Sequence, residues 1–245
     1  MIDFAFLGET LLKLLGALPT TLGLFFASLA LGLLLSLAVV ALRVSRYPWL
    51  SYPARFYIMV FRGTPLLIQM FLIYYGLGQF PAVRDSFAWV VLKSPYGCAV
   101  ISLALCTAGY TAEIIRGGLQ SVPLGQIEAG QAVGMSRWTL LWRVIGPITL
   151  RQALPAYSTE AVLLVKSTAL ASLVTVWDVT GVAQQLIQRS YRTMEVFICA
   201  ALIYLVLNFL VVRAVAWIER RLSPHLRERP QAPPAEPAPE ATPHS

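Results

Sequence analysis

A carboxylate in an apolar run draws attention first. Glu160 lies in the stretch from about Leu154 to Ala171, which is otherwise long and hydrophobic enough to enter a bilayer. Tyr157, Ser158, Thr159, Lys166, Ser167 and Thr168 share that stretch. Tyr157, Glu160, Leu164 and Ser167 follow at i, i+3, i+7 and i+10, which places them on one face of a helix. A polar stripe bearing a carboxylate faces protein or water rather than lipid, because an ionised group at membrane depth is costly without a partner. Two readings follow: Glu160 is the counter-charge for a cation moving along that face, or it is structural glue for a basic residue. Lys166 is six residues away and about 120° round a helix, so an intrahelical pair is not expected. A Ser–Lys dyad of Lys166 with Ser158 or Ser167 would need tertiary contact.

Other chemistries lack their residues. There is no G-x-x-x-x-G-K-[ST] phosphate loop, so this chain does not hydrolyse ATP by that route. Both histidines, His225 and His244, lie in or near the C-terminal tail, away from the apolar spans. Cys98, Cys106 and Cys199 stand in apolar stretches without metal-ligand spacing and are expected to be buried small hydrophobes.

The elements that position Glu160 follow from composition. The chain has 245 residues, is 57% hydrophobic and only 13% charged, the balance of a membrane protein. Its net charge of +7 does not point to nucleic acid, because the basic residues are scattered between apolar spans. They mark topology instead, since Arg and Lys crowd the cytoplasmic side. Spans are expected at Leu18 to Leu42, at about Pro65 to Phe80 with part of 53–62, at Tyr96 to Ile115, at Leu154 to Ala171 and at Met194 to Trp217. The segment before the first has Asp3 and Glu9 ahead of Lys13, unlike a secretory signal, so that span is expected to be retained. Gly23, Ser28, Gly32 and Ser36 suit either close helix approach or lipid-facing filler. Thr64-Pro65 reads as an N-cap followed by a first-turn proline. Arg62, just before it, is an interface anchor or a pore residue. Asp178 is expected to cap an amphipathic helix running to Gln188.

The arrangement expected is an all-α membrane protein of about five transmembrane helices, N-terminus outside and C-terminus inside. It occupies residues 1–229, and a disordered Pro/Ala-rich tail occupies 230–245. Arg43, Arg46 and Arg55, then Arg116, Arg137, Arg143 and Arg151, and finally Arg220, Arg221, Arg227 and Arg229 would all lie inside.

Between the third and fourth spans lies a short segment of small residues. Ser121 and Pro123 suit the start of a helix, expected over about Leu124 to Gly134, with Gly130 and Gly134 on a narrow face open to close approach. It packs against its own protein or against another surface. A break is expected at Gly146-Pro147.

Glu128-Ala129-Gly130, three residues, Gly134, nine residues and then Val144-Ile145-Gly146-Pro147 resembles the EAA loop of bacterial ABC-importer membrane subunits. That pattern runs EAA, three residues, G, nine residues, I-x-L-P; Gly130, Val144 and Gly146 depart from it. Tyr110–Gly118, Ser121-Val122-Pro123 and Phe61–Leu67 resemble the polar amino-acid subfamily, and the likeness continues to about Arg227. Over Pro155 to Leu170 the chain is most similar to the M-type permease subunit of histidine/lysine/arginine/ornithine and octopine importers. The resemblance implies a multi-pass permease of the bacterial inner membrane that imports basic amino acids or opines. Its partners would be cytoplasmic ATPase subunits, a second membrane subunit (a paralogue, as the M-type match favours, or a copy of this chain) and a periplasmic substrate-binding protein. ATP and Mg would be bound by the ATPases, with no cofactor on this chain. Glu128, Ala129, Gly130 and Gly134 would form the coupling helix that docks an ATPase, and Tyr157, Glu160 and Ser167 would face the substrate pathway. The alternative is a membrane channel or scaffold without ATPase coupling, which has no need of such a loop.

Overall fold

A computed structural model describes residues 4–222, which form helices joined by short turns, with no strand among them. The residues expected to form the tail, together with His225, His244, Arg227 and Arg229, lie outside the described residues. In chain order the helices are α1 (Phe4–Gly16), α2 (Leu18–Arg43), α3 (Pro48–Gly63), α4 (Leu66–Phe71), α5 (Pro81–Arg84), α6 (Trp89–Leu92) and α7 (Pro95–Gln120). There follow α8 (Leu124–Ala132), α9 (Arg137–Leu140), α10 (Gly146–Ser167), α11 (Val179–Ser190) and α12 (Thr193–Leu222). A π-helical turn (Leu72–Gly76) and a 3-10 turn (Leu77–Gln79) extend α4; a second π turn (Leu141–Ile145) joins α9 to α10; a 3-10 segment (Thr168–Val174) extends α10.

Three helical runs are long and apolar enough to cross a membrane: Phe4–Arg43, Pro95–Gln120 and Thr193–Arg221. Two bent pairs raise the number to five if each is one span. Pro48–Gly63 with Leu66–Gln79 turns by 106°, and Arg137–Val174 with Val179–Ser190 turns by 50°. The first run begins with α1, fourteen residues ahead of the start expected at Leu18.

The bundle is built around α7. Ser28, Gly32 and Ser36 recur every four residues along α2 and are all buried. A β-carbon on Gly32 would stand 3.2 Å from both the Ala104 carbonyl oxygen and Thr107 Cγ2. The Ser28 hydroxyl donates to the Val100 carbonyl at 3.4 Å, and Ser36 returns its proton to Leu33. These small residues therefore line a helix–helix seam and are not lipid-facing filler, which is how backbones approach where water is absent. Because Ser28 meets Val100, Gly32 meets Ala104 and Arg43 meets Glu113, α2 and α7 run parallel. A parallel pair requires the chain to cross back between them, and α3 with α4 does so.

The seam is closed at one end by charge. Glu113 accepts from Arg116 at 2.8 Å, as the i, i+3 spacing suggests, but Arg43 from α2 also approaches it at 3.6 Å. Arg116 donates further to Gln120 at 2.6 Å. Helix α10 returns along α7 with its N-terminal part at this same end, where Gly118 admits the Thr149 carbonyl.

Asp178 does cap its helix, accepting from the Gly181 N–H at 2.9 Å. It is also fully buried, and Tyr204 of α12 donates to its other oxygen at 3.0 Å. The Val179 N–H meanwhile donates to Thr21 of α2 at 3.1 Å. Asp178 and Val179 together thus tie the start of α11 to two spans.

Replacing Gly32 by Leu should force α2 from α7 and lower the thermal midpoint of the purified protein, the overpacking costing on the order of 1–3 kcal/mol. Gly117, with open space about it, is the control. Gly117→Ala should leave the midpoint unchanged or raise it, since Ala exceeds Gly in helix preference by about 1 kcal/mol.

Candidate functional site: a charged cavity at a broken helix and an exposed helix at the bundle end

The α3–α4 break arises from Gly63-Thr64-Pro65. Proline cannot supply the N–H that would continue α3, so the helix ends and the chain turns. Thr64 is the C-cap of α3 and not the N-cap of the next helix. Its N–H and hydroxyl both donate to the Val60 carbonyl, at 3.1 and 2.7 Å, and Pro65 takes the N-cap place with extended backbone. The turn leaves carbonyls without helical partners. Gln69, buried one turn into α4, donates its amide to the Phe61 and Thr64 carbonyls at 3.0 Å each and to the Thr64 hydroxyl at 2.8 Å. The sequence reading did not single out Gln69. An amide four residues beyond an in-span Thr-Pro is the signal that could have found it, because irregular backbone at membrane depth needs an internal partner.

The break forms one wall of a cavity of about 460 Å³. Arg62, Gly63, Thr64, Pro65 and Leu66 line it from the break, Cys106, Thr107 and Tyr110 from α7, and Glu160, Leu163 and Ser167 from α10. Its size falls in the about 300–1,000 Å³ range of small-molecule sites. Of the predicted stripe, Glu160, Leu164 and Ser167 reach this cavity; Tyr157, partly buried on the same helix, is not among its lining residues. Glu160 is buried, with the Thr107 side chain and the Arg62 guanidinium as its polar neighbours. It forms no ion pair among the described residues, with Lys166 or any other base. Cys106 was expected to be a buried small hydrophobe, but it is only partly buried and lines the cavity, whereas Cys98 and Cys199 are buried.

The Arg62 stem packs where Gly109 leaves room, its Cγ lying 3.6 Å from the place a β-carbon there would occupy. Its guanidinium carbon sits 5.1 Å from the centre of the Tyr110 ring, and the Tyr110 hydroxyl donates to the Arg62 carbonyl at 3.5 Å. The cavity therefore holds a carboxylate and a guanidinium that do not neutralise each other by contact. No three His, Cys, Asp or Glu side chains among the described residues converge as a metal site would require.

The helix expected at Leu124 to Gly134 is present but shorter. Ser121 does not cap it: its hydroxyl donates to the Gly118 carbonyl, closing α7, and Pro123 occupies the N-cap position. Helix α8 ends at Ala132, since Gly134 has φ +76°. The Met135 N–H returns to the Gly130 carbonyl at 3.0 Å and the Gly134 N–H to Gln131 at 2.9 Å, a Schellman closure that favours glycine at the left-handed residue. Gly130 and Gly134 therefore do not share a narrow helical face. Gly130 is buried against the chain itself, a β-carbon there falling 2.5 Å from Leu140 Cδ1. Glu128, Ala129 and Gly134 are exposed, as are Leu124 and Val133, which leave 75% and 73% of their surface open.

Gly146-Pro147 does not break the chain as expected. The π turn Leu141–Ile145 runs into α10 with helical backbone, and Pro147 falls in the first turn, where its missing N–H costs little.

Comparison with known proteins gives one consistent result. Residues 28–224 match the family described as binding-protein-dependent transport system inner membrane component. The chain is 55% identical over 225 residues to the octopine transport system permease protein OccM of Rhizobium radiobacter, covering 92% of each. It is 41% identical over 214 residues to the arginine ABC transporter permease protein ArtM of Escherichia coli strain K12, covering 87% of this chain and 96% of that one. A crystal structure of an amino acid ABC transporter with histidines superposes with a TM-score of 0.79 at 32% identity, over 90% of this chain and 99% of that one.

Proposed function

The chain belongs to the family of binding-protein-dependent transport system inner membrane components, and we propose that its charged cavity is the substrate pathway and α8 its ATPase contact. It is a multi-pass inner-membrane permease subunit of an amino-acid or opine ABC importer, and ATP hydrolysis belongs to a separate subunit. The relatives for octopine and arginine fit a substrate carrying a guanidinium or other basic group.

The observation that carries the pathway reading is Glu160, a buried carboxylate that opens on a cavity and finds no base in contact. In that position it is the counter-charge for a cationic side chain passing along α10, with Ser167 one further hydrogen-bonding group on the same wall. A structural Glu160 would be expected to meet a basic partner within the bundle or from a second membrane subunit.

The orientation that serves this function places the N-terminus outside and the C-terminus inside. The ends of α2 and α7 that share Arg43, Glu113 and Arg116 then face the cytoplasm, and the arginines of 137–151 lie on that side with α8. There α8 presents Glu128 and Ala129 to an ATPase subunit, with Leu124 and Val133 as exposed apolar contacts. Gly130 and Gly134 act within the chain, holding α8 on Leu140 and closing its end. Because short segments join α8 to α7 and to the helical run Arg137–Val174 that contains α10, movement of a docked ATPase would pass to both cavity walls, a rigid-body route to alternating access. ATP and Mg bind the ATPases, a second permease subunit faces this one, and a binding protein delivers the solute from outside.

Two outcomes test these assignments. Glu160→Gln should assemble with its partners and keep basal ATP hydrolysis, while uptake of arginine or octopine into vesicles falls about tenfold or more, the loss of one charge-assisted contact. Poor assembly would make Glu160 structural, and normal uptake would remove it from the pathway. Ala129→Trp should leave the chain inserted but sharply reduce recovery of the ATPase with the purified membrane subunits. Undiminished recovery would put the docking surface elsewhere.

A further inference from the structure

The geometry points to a two-point receptor in the cavity, in which Arg62 receives the carboxylate of the solute whose cationic end Glu160 receives. This rests on the pathway reading above and adds its missing half, the recognition of the acid. Four observations carry it. Arg62 and Glu160 line one cavity, from the helix break and from α10, yet form no ion pair within the described residues. The volume between the walls, about 460 Å³, is ample for an amino acid carrying a long side chain. Arg62 is exposed, and a guanidinium at the depth of a broken span faces water or protein, not lipid. Finally, its stem runs beside Gly109, its guanidinium carbon lies 5.1 Å from the centre of the Tyr110 ring, and no carboxylate among the described residues pairs with it, so a solute carboxylate can be received in bidentate geometry.

The backbone supports the same role. The Gln69 amide holds the Phe61 and Thr64 carbonyls on either side of Arg62, and Tyr110 holds the Arg62 carbonyl itself. Arg62 thus projects from an anchored turn. Such a receptor favours solutes with a cation and a carboxylate held apart, as in arginine and in carboxylated arginine derivatives. It disfavours the decarboxylated amine, which offers Arg62 only a positive charge.

The test is equilibrium binding of labelled L-arginine to the purified permease–ATPase complex without binding protein, with agmatine (arginine lacking its carboxylate) and octopine as competitors. Wild-type complex should prefer arginine and octopine to agmatine by about tenfold or more, the loss of one charge-assisted contact. Arg62→Gln should weaken arginine and octopine to the level of agmatine while agmatine binding stays within about twofold, and Arg62→Lys should recover part of the difference. Equal wild-type affinities for arginine and agmatine would overturn the proposal without any variant having to fold. An Arg62→Gln complex that loses both ligands alike would also overturn it, by making Arg62 structural. Glu160→Gln separates the two halves: if it leaves both ligands unaffected while Arg62→Gln acts selectively, the cation assignment fails and the carboxylate assignment stands. Wild-type complex that binds no arginine overturns both.

Discussion

The close approach of α2 to α7 fixes where everything else in this bundle stands. With Ala104 and Thr107 where a β-carbon of Gly32 would need room, the two helices meet almost backbone to backbone, and Ser28 and Ser36 extend the contact a turn either way. Between lipid-surrounded helices there is no water to expel, so packing of this kind has to supply the attraction. Once α2 occupies that face, the others are free for the broken span and for α10. Gly109 then receives the Arg62 stem, Thr107 faces Glu160, and Gly118 receives the start of α10. The cavity is where these two neighbours fail to touch each other across α7.

Its chemistry follows from a second constraint, the intolerance of a bilayer for unpaired polar groups. A helix that stops at Pro65 exposes carbonyls that lipid cannot satisfy. Gln69 supplies one amide for two of them, and the same irregular turn carries Arg62 into the cavity. Irregular backbone and charge are found together because each needs a protein-lined or watered space. The same logic explains Asp178, which would be costly in the bundle but for the Gly181 N–H and the Tyr204 hydroxyl.

Much of this was legible in the sequence because it depends on local pattern. The apolar spans, the stripe of Glu160 with Ser167, the cap at Asp178 and the Glu113–Arg116 pair all rest on spacing within one segment. What escaped depends on contacts between segments. Nothing local says that Arg43 reaches Glu113, that Tyr204 reaches Asp178, or that Arg62 and Glu160 line one space. The small residues after Leu124 show how one composition serves different ends. Gly130 is small because Leu140 lies against it, and Gly134 is glycine because the chain turns left-handed there, so the helix stops two residues early. At Gly146-Pro147 the expected break is absorbed by a π turn, whose wider spacing frees the position before the proline ring.

If transported solute occupies the cavity between the broken span and α10, Cys106 is a native reporter within it. With Cys98 and Cys199 replaced by alanine, the rate at which a small cationic thiol reagent modifies Cys106 would be measured in the purified permease–ATPase complex, with and without saturating L-arginine. Cys106 should react, and arginine should slow the reaction severalfold, while D-glucose should not. A Cys106 that is inert, or whose rate is the same with arginine present, would contradict occupancy of the cavity by solute.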